Sequence, residues 1–202
     1  MSSADLLVRY ARERLRFGFF AVVAGMLGAA GGFLRPGAAL TLASVLTSGL
    51  AIFFLIMAFR IWDDLEDREH DRVHHPDRII AKTDSTTQFA LLGLVFLSLG
   101  IALLFAQQNA VPRIVALGIV AGVTGVWYRV RKPSTRRTPG LYLVLIKYPV
   151  FTYAAAPGPL PSLTGMWPRG FVILAAIYVA ICIYETFDDG ELRASYTGAS
   201  LP

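Results

Sequence analysis

The chain has 202 residues, of which 55% are hydrophobic, and its mean hydropathy is +0.55. This composition is too apolar for an ordinary soluble domain and is typical of a polytopic membrane protein. The formal net charge is +5. The basic residues lie in short segments beside apolar runs and form no recognisable nucleic-acid-binding motif, so we expect no nucleic-acid partner.

Six apolar runs are each close to the ~20 residues that a membrane-spanning helix needs. The sequence therefore predicts an all-α fold, a polytopic transmembrane helical bundle that forms a single membrane domain over residues 1–202. The fifth run is the shortest and carries Lys147 near one end. The predicted spans are residues 17–34, 38–59, 88–106, 110–128, 140–156 and 169–187.

The distribution of charge predicts the orientation in the membrane. Basic residues are concentrated before the first span and in the connections after the second and fourth spans, and all 14 acidic residues lie on that same side. The alternate connections carry only Arg35, Arg113 and Arg169. Because basic connections stay on the cytoplasmic side, we expect an integral membrane protein with both termini in the cytoplasm, in a bacterial inner membrane or its equivalent.

The first acidic segment lies directly after the second predicted span. Asp64, Asp67 and Asp71 fall at i, i+3 and i+7, so a helix that continues out of the membrane would carry them on one face. Asp63 precedes Asp67 by four residues and joins the edge of that face. Like charges at this spacing repel each other, which favours a bound counter-cation. Oxygen ligands suit Mg2+ and a substrate phosphate better than zinc.

The second acidic segment closes the last predicted span. Glu185, Asp188 and Asp189 stand at i, i+3 and i+4 and again share a helix face. A carboxylate within a span costs roughly 2.5–3.5 kcal/mol at the membrane centre and less at its edge. Two acidic segments at one membrane level could face each other across a cavity and hold Mg2+ ions that bridge the phosphates of a substrate.

Four side chains are candidates for binding a substrate phosphate. Arg78 follows the first acidic segment, and Tyr128 and Lys132 close the fourth span. Lys147 lies in the fifth span, where an ammonium group needs an anionic partner such as a diphosphate. Orientation alone accounts for four other basic residues: Arg129, Arg131, Arg136 and Arg137.

Two plainer interpretations of these polar residues are open. An acidic run is often only a solvated helix face, although the ordered spacing and the second segment favour a divalent-cation site. His70, His74 and His75 could bind zinc, but they have no cysteine partner, so Mg2+ is favoured.

Several of these segments resemble motifs of a known family. Residues 63–71 resemble the N-D-x-x-D-x-x-x-D motif of the UbiA superfamily of intramembrane prenyltransferases, with Asp63 where that family usually has Asn. Residues 75–82 are similar to its R-P-L-x-S-G stretch, with the arginine retained but without the proline and the glycine. Residues 128–132 resemble its Y-x-x-x-K element, and residues 185–189 its second D-x-x-x-D motif, with Glu for the first Asp. The resemblance extends over nearly the whole chain.

The resemblance implies a membrane prenyltransferase: Mg2+-dependent transfer of an isoprenyl group from an isoprenyl diphosphate to an aromatic or other lipophilic acceptor. The catalytic carboxylates it implies are Asp64, Asp67, Asp71, Glu185 and Asp189. The metal ligands it implies are these five together with Asp63 and Asp188. The residues it implies for binding the diphosphate are Arg78, Tyr128, Lys132 and Lys147.

Members of that family usually have nine spans, whereas six are predicted here. A six-helix bundle leaves three alternatives open: it dimerises to close its cavity, it takes a smaller substrate, or it has lost catalysis. A different class of function is open as well, namely a non-catalytic UbiA-like membrane protein that binds cations or lipid or serves as a partner subunit. Membrane lipid is an expected partner in either case.

Overall fold

The computed structural model describes residues 3–34, 41–131, 140–160 and 168–188. The regular secondary structure of this part of the chain is entirely helical, which confirms the all-α expectation. The helices are α1 (Ser3–Tyr10), α2 (Phe17–Gly32), α3 (Leu42–Glu66), α4 (Arg68–His74), α5 (Ile79–Lys82), α6 (Thr87–Phe105), α7 (Ala110–Val130), α8 (Gly140–Leu143), α9 (Lys147–Ala154) and α10 (Arg169–Asp188).

Four of these helices, α3, α6, α7 and α10, are each long and apolar enough to cross a membrane. A π-helical turn, Ala11–Leu15, connects α1 to α2. The segments before and after it are bent by 53° and together count as a fifth candidate span. The protein is therefore an integral membrane protein, and five of the six predicted spans correspond to these helices. Helix α3 runs seven residues further than its predicted span, to Glu66.

The fifth predicted span, residues 140–156, differs from the expectation because it is not one continuous helix. It consists of α8, a 3-10 turn over Val144–Ile146, and α9. Pro149 is the third residue of α9. Proline has no amide hydrogen, and its ring collides with the carbonyl four residues earlier, so it is tolerated only in a first helical turn. The chain accordingly starts a new helix at Lys147.

Helix α3 forms the centre of the packed part of the bundle, with α2 against one side and α6 against another. Its side chains Ile52, Leu55 and Ile61 are buried in the core. Gly28 brings α2 close to α3: a Cβ added there would lie 2.7 Å from the backbone nitrogen of Gly49. Small residues of this kind let membrane helices pack backbone to backbone.

A second part of the bundle pairs α7 with α9, and α9 with α10. Arg113 of α7 is fully buried and connects these elements. Its Nη1 donates to the carbonyls of Ala154 (2.5 Å) and Ala156 (2.8 Å), and its Nη2 donates to that of Gly158. The last carbonyls of a helix have no partner within the helix, so this guanidinium satisfies the end of α9 and fixes it against α7.

Candidate functional site

Asp64, near the end of α3, is almost completely buried and is bound by three side chains. Arg14 donates from Nε to Oδ2 at 3.2 Å and from Nη2 to Oδ1 at 2.5 Å, the two-point contact that makes arginine–carboxylate pairs strong. The hydroxyl of Tyr10 donates to Oδ2 at 2.8 Å, and Nε of Arg60 lies 4.0 Å from Oδ1. Internal cations therefore compensate this buried charge.

The N-terminal segment, residues 3–16, supplies two of these three partners. Its π-helical turn ends at Arg16, whose φ of 32° and ψ of 52° lie in the left-handed region. Tyr10 is fully buried and packs against Phe89 of α6, with 4.7 Å between the ring centroids. Its hydroxyl is thereby held in position to donate to Asp64.

Asp71, on α4, pairs with Arg78 from the loop that follows. Nη1 of Arg78 donates to Oδ1 of Asp71 at 2.6 Å. The other carboxylate oxygen, Oδ2, is buried and has no hydrogen-bond partner among the described residues. Arg68 and Arg72 of α4 donate to backbone carbonyls of α5 and of the residue after it. Because α5 begins directly after Arg78, these bonds also position Arg78.

Asp63 and Asp67 bind partners from the α7 and α9 side of the bundle. Lys147 is buried and donates to Oδ2 of Asp63, while the hydroxyl of Tyr128 donates to Oδ1. Nη2 of Arg131 donates to Oδ1 of Asp67 at 2.6 Å, and its guanidinium lies 4.6 Å from the centre of the Tyr128 ring. These two carboxylates, in and directly after the last turn of α3, therefore connect this end of α3 with α7, with α9 and with the residue that follows α7.

Of the predicted site residues in the second acidic segment, the structure describes the side chain of Glu185, on α10. It interacts electrostatically with Arg60 and with Tyr148, and both of these side chains also interact with Asp63. The two acidic segments thus act on the same residues from different helices. The predicted site side chains that lie outside the described part of the chain are those of Lys132, Asp188 and Asp189, and their roles stay predictions.

The ion pairs and electrostatic interactions connect ten charged side chains into one network, the charged cluster, in which Tyr128 links the Asp67–Arg131 pair to Asp63. Its members are Asp63, Asp64, Asp67, Asp71, Glu185, Arg14, Arg60, Arg78, Arg131 and Lys147. Five carboxylates face five basic side chains, so the formal charge of these ten groups is zero. Such pairing is what makes charged groups tolerable at a poorly solvated site.

An apolar cavity of about 460 Å³ lies beside the charged cluster, between α3, α6 and α7. Its lining includes Phe59 and Trp62 of α3 and Leu97 of α6. Trp62 precedes Asp63 in the chain, and its ring lies 5.8 Å from that of Tyr128, measured between centroids. The apolar cavity therefore ends next to the charged cluster.

The sequence model of the UbiA prenyltransferase family matches residues 18–196, a range that includes both acidic segments. The chain belongs to the UbiA prenyltransferase family. Membership confirms the resemblance that the acidic motifs indicated and the helical membrane fold. It also supports a prenyltransferase-type function in general, since the members of the UbiA family are prenyltransferases. No curated protein and no solved structure gives a significant match.

The donor set of the charged cluster fits Mg2+, the ion that the aspartate-rich motifs of the UbiA family generally bind. Carboxylate oxygens are the hard ligands this ion prefers, and Oδ2 of Asp71 is a buried oxygen that a cation would satisfy. Within the described residues, however, no three His, Cys, Asp or Glu side chains are close enough to share one ion. Each aspartate of the first segment instead contacts a basic side chain of its own.

Four residues around these carboxylates were not identified as site residues from the sequence: Tyr10, Arg14, Arg60 and Arg131. The sequence indicates a role in orientation alone for Arg131, whereas in the structure it binds Asp67. No spacing rule connects Arg14 with Asp64, which lies 50 residues further along the chain. The sequence offers only a general signal, namely that buried carboxylates require cations. This signal predicts that basic partners exist, but it does not identify them.

Proposed function

We propose that this UbiA protein transfers an isoprenyl group from an isoprenyl diphosphate to an aromatic or other lipophilic acceptor, with Mg2+ bound at the charged cluster. The family supports the class of reaction. The two parts of the substrate match two neighbouring environments, because the diphosphate is anionic and the isoprenyl chain is apolar. We also place both termini on the cytoplasmic side, as the basic connections predict.

The observation that carries this proposal is the position of Arg60. Asp64 lies 4.0 Å from its Nε, and Glu185 of the other acidic segment interacts with the same guanidinium. Nε of Arg60 is buried and has no hydrogen-bond partner in the described part of the chain. Carboxylates from two acidic segments thus act electrostatically on one guanidinium, and such convergence of two acidic segments is what a site for metal ions and a diphosphate requires.

In the proposed reaction, the bond between the allylic carbon and the diphosphate oxygen breaks, and its electron pair leaves with the diphosphate. A nucleophilic atom of the acceptor gives an electron pair to the allylic cation and then loses a proton. Mg2+ would neutralise charge that develops on the leaving group. The proposed ligands of the Mg2+ ions are Asp63, Asp64, Asp67 and Asp71 in the first acidic segment and Glu185, Asp188 and Asp189 in the second.

The basic residues of the cluster would bind the diphosphate oxygens directly. Arg78 and Lys147 already lie beside the carboxylates, and both side-chain types bind phosphate oxygens. Tyr128 can donate through its hydroxyl, and Lys132 is proposed to join them. In the adjacent cavity, the ring faces of Phe59 and Trp62 are suited to stabilise an allylic cation by cation–π attraction.

The proposal is tested by incubating the purified full chain with Mg2+, a labelled isoprenyl diphosphate and each of several aromatic acceptors, and measuring released diphosphate. We expect release by the native protein and none above background by Asp67→Ala. The matched control is Glu69→Gln, because Glu69 is an exposed neighbour whose described ion pair is with Arg72. Release that survives in Asp67→Ala, or is lost equally in Glu69→Gln, contradicts the proposed role of the first acidic segment.

The non-catalytic alternative also has an observation in its favour. The five carboxylates of the charged cluster are balanced by five basic side chains, so this resting arrangement needs no metal for charge balance. If the protein binds lipid independently of Mg2+ and releases no diphosphate with any of several acceptors, it is a lipid-binding member of the fold. Turnover with any one acceptor eliminates this alternative.

A further inference from the structure

We propose that Arg14 is an internal counter-ion that competes with the divalent cation for Asp64, so that metal binding depends on the diphosphate. This inference rests on the proposed function, because it takes the charged cluster as the site of both ligands. Arg14 is a positioning residue in this account, since it acts through Asp64.

The contacts of Asp64 leave little room for a metal ion while Arg14 is in place. A carboxylate offers about four lone-pair sites for hydrogen bonds. Arg14 uses one on each oxygen, and Tyr10 uses another on Oδ2. Arg60 lies close to Oδ1 as well. A divalent cation therefore has to displace Arg14 before it can bind Asp64 in full.

The surroundings of Arg14 contain a second carboxylate that could bind a cation. Arg14 interacts electrostatically with Asp71 in addition to Asp64. Asp71 is fully buried, and its Oδ2 has no hydrogen-bond partner in the described residues. The Arg14 guanidinium therefore binds one carboxylate directly and acts electrostatically on a second carboxylate, Asp71, whose Oδ2 has no such partner.

The charge of the cluster explains why the two ligands should bind together. Its ten side chains sum to zero, so a divalent cation alone adds two positive charges to a site of low dielectric, which is costly. A diphosphate brings compensating negative charge and gives the displaced guanidinium an anionic partner. By thermodynamic linkage each ligand then raises the affinity of the other by the same factor.

Arg14 can leave Asp64 without unfolding the N-terminal segment. Tyr10 holds that segment against Phe89, and Leu15 is buried in the same core. The Arg14 side chain itself is 16% exposed, and it is long and flexible. The exchange requires only a side-chain movement.

The test uses the purified full chain in lipid nanodiscs and Mn2+ as the probe, with bound and free ion distinguished by electron paramagnetic resonance. Titrations are made with and without inorganic pyrophosphate, and the Mn2+–pyrophosphate complex measured without protein is subtracted. We expect pyrophosphate to raise the Mn2+ affinity of the native protein by at least about fivefold, the lower end of typical coupling between sites.

Arg14→Gln removes the internal counter-ion, so we expect Mn2+ alone to bind this variant at least about fivefold more tightly than the native protein. Pyrophosphate should then raise the Mn2+ affinity of this variant by a smaller factor than it raises that of the native protein. Arg12→Gln is the control, since Arg12 is exposed on the same turn, and it should bind like the native protein. Equal or weaker Mn2+ binding by Arg14→Gln overturns the inference.

Arg14→Lys keeps the charge and tests the inference if Arg14→Gln does not fold. An ammonium group cannot make the two-point contact, so Mn2+ should bind this variant more tightly than the native protein; unchanged affinity contradicts the competition. The two proposals fail separately. If the Arg14 variants bind Mn2+ more tightly but the native protein transfers no isoprenyl group, the inference holds and the proposed function is wrong. If the native protein transfers an isoprenyl group but the Arg14 variants bind Mn2+ with unchanged affinity, the proposed function holds and the inference is wrong.

Discussion

Helices α3 and α10 both end in an acidic segment, but their surroundings differ. In the apolar part of α3, 44% of the residues are buried, against 6% in α10. Helix α3 packs between α2 and α6, while α10 packs on α9 and the turn before it. The carboxylates of α3 are ion-paired within this core, whereas Glu185 of α10 joins the charged cluster through its electrostatic interaction with Arg60.

This difference indicates that the first acidic segment contributes to the stability of the fold, whereas the second contributes mainly to ligand binding. A carboxylate that balances buried cations cannot be removed without leaving those cations uncompensated. Removing a carboxylate from a poorly buried helix leaves little uncompensated charge in the core. Changes in the first acidic segment should therefore reduce both stability and ligand binding, and changes in the second should reduce binding alone.

The largest effect is expected for Asp64→Ala. This change leaves Arg14 and Arg60 without their carboxylate in a buried site, which costs about 3–5 kcal/mol in the free energy of unfolding. The measurement is equilibrium unfolding by SDS titration in mixed micelles. Glu185→Ala is the matched comparison and should lose less than about 1 kcal/mol, as a weakly buried charge does. If the two variants lose the same free energy of unfolding, the proposed difference between α3 and α10 is wrong.

A smaller effect is expected for Asp63→Asn, which introduces the residue that the UbiA family usually has at this position. Buried Lys147 then loses its charged partner, at a cost of about 2–3 kcal/mol, because hydrogen bonds to charged groups are the stronger ones. Adding Lys147→Met removes the unpaired ammonium and should recover most of this loss. If the double variant is no more stable than Asp63→Asn, the two residues are not a coupled pair.

The smallest of the stability effects concerns the packing of α2 on α3. Gly28→Ala places a methyl group where no space exists, and we expect a loss of about 1–2 kcal/mol from overpacking. Gly25→Ala, on the same helix, is the control because a Cβ there meets no atom within 4 Å. Unfolding in mixed micelles should distinguish the two variants, and identical curves would mean that the close approach of α2 and α3 is unimportant.

Much of the fold could be predicted because membrane helices are determined locally. A run of about 20 apolar residues has to satisfy its backbone hydrogen bonds internally, and a helix does this. The break in the fifth span could also have been predicted, since Pro149 fits only in the first turn of a helix and the helix must therefore begin shortly before it. The spacing of Asp64, Asp67 and Asp71 predicts that the helix continues past the span, but not that α3 ends at Glu66 and that Asp71 lies on the separate helix α4.

The membership of the candidate site could be predicted only in part. The acidic residues are recognisable because carboxylates beside a membrane span are costly. Their partners depend on tertiary packing, which brings Arg14 from the N-terminal segment and Arg131 from the end of α7. Nothing in the local sequence distinguishes these arginines from the basic residues that set orientation.

The central claim is that both acidic segments contribute to one site for a divalent cation and a diphosphate. Its most direct test is Mn2+ binding in the presence of inorganic pyrophosphate, compared between native protein, Asp67→Asn, Glu185→Gln and the control Glu69→Gln. We predict that Asp67→Asn and Glu185→Gln each weaken binding by at least about tenfold, while the control binds normally. Native affinity in Glu185→Gln would contradict the claim.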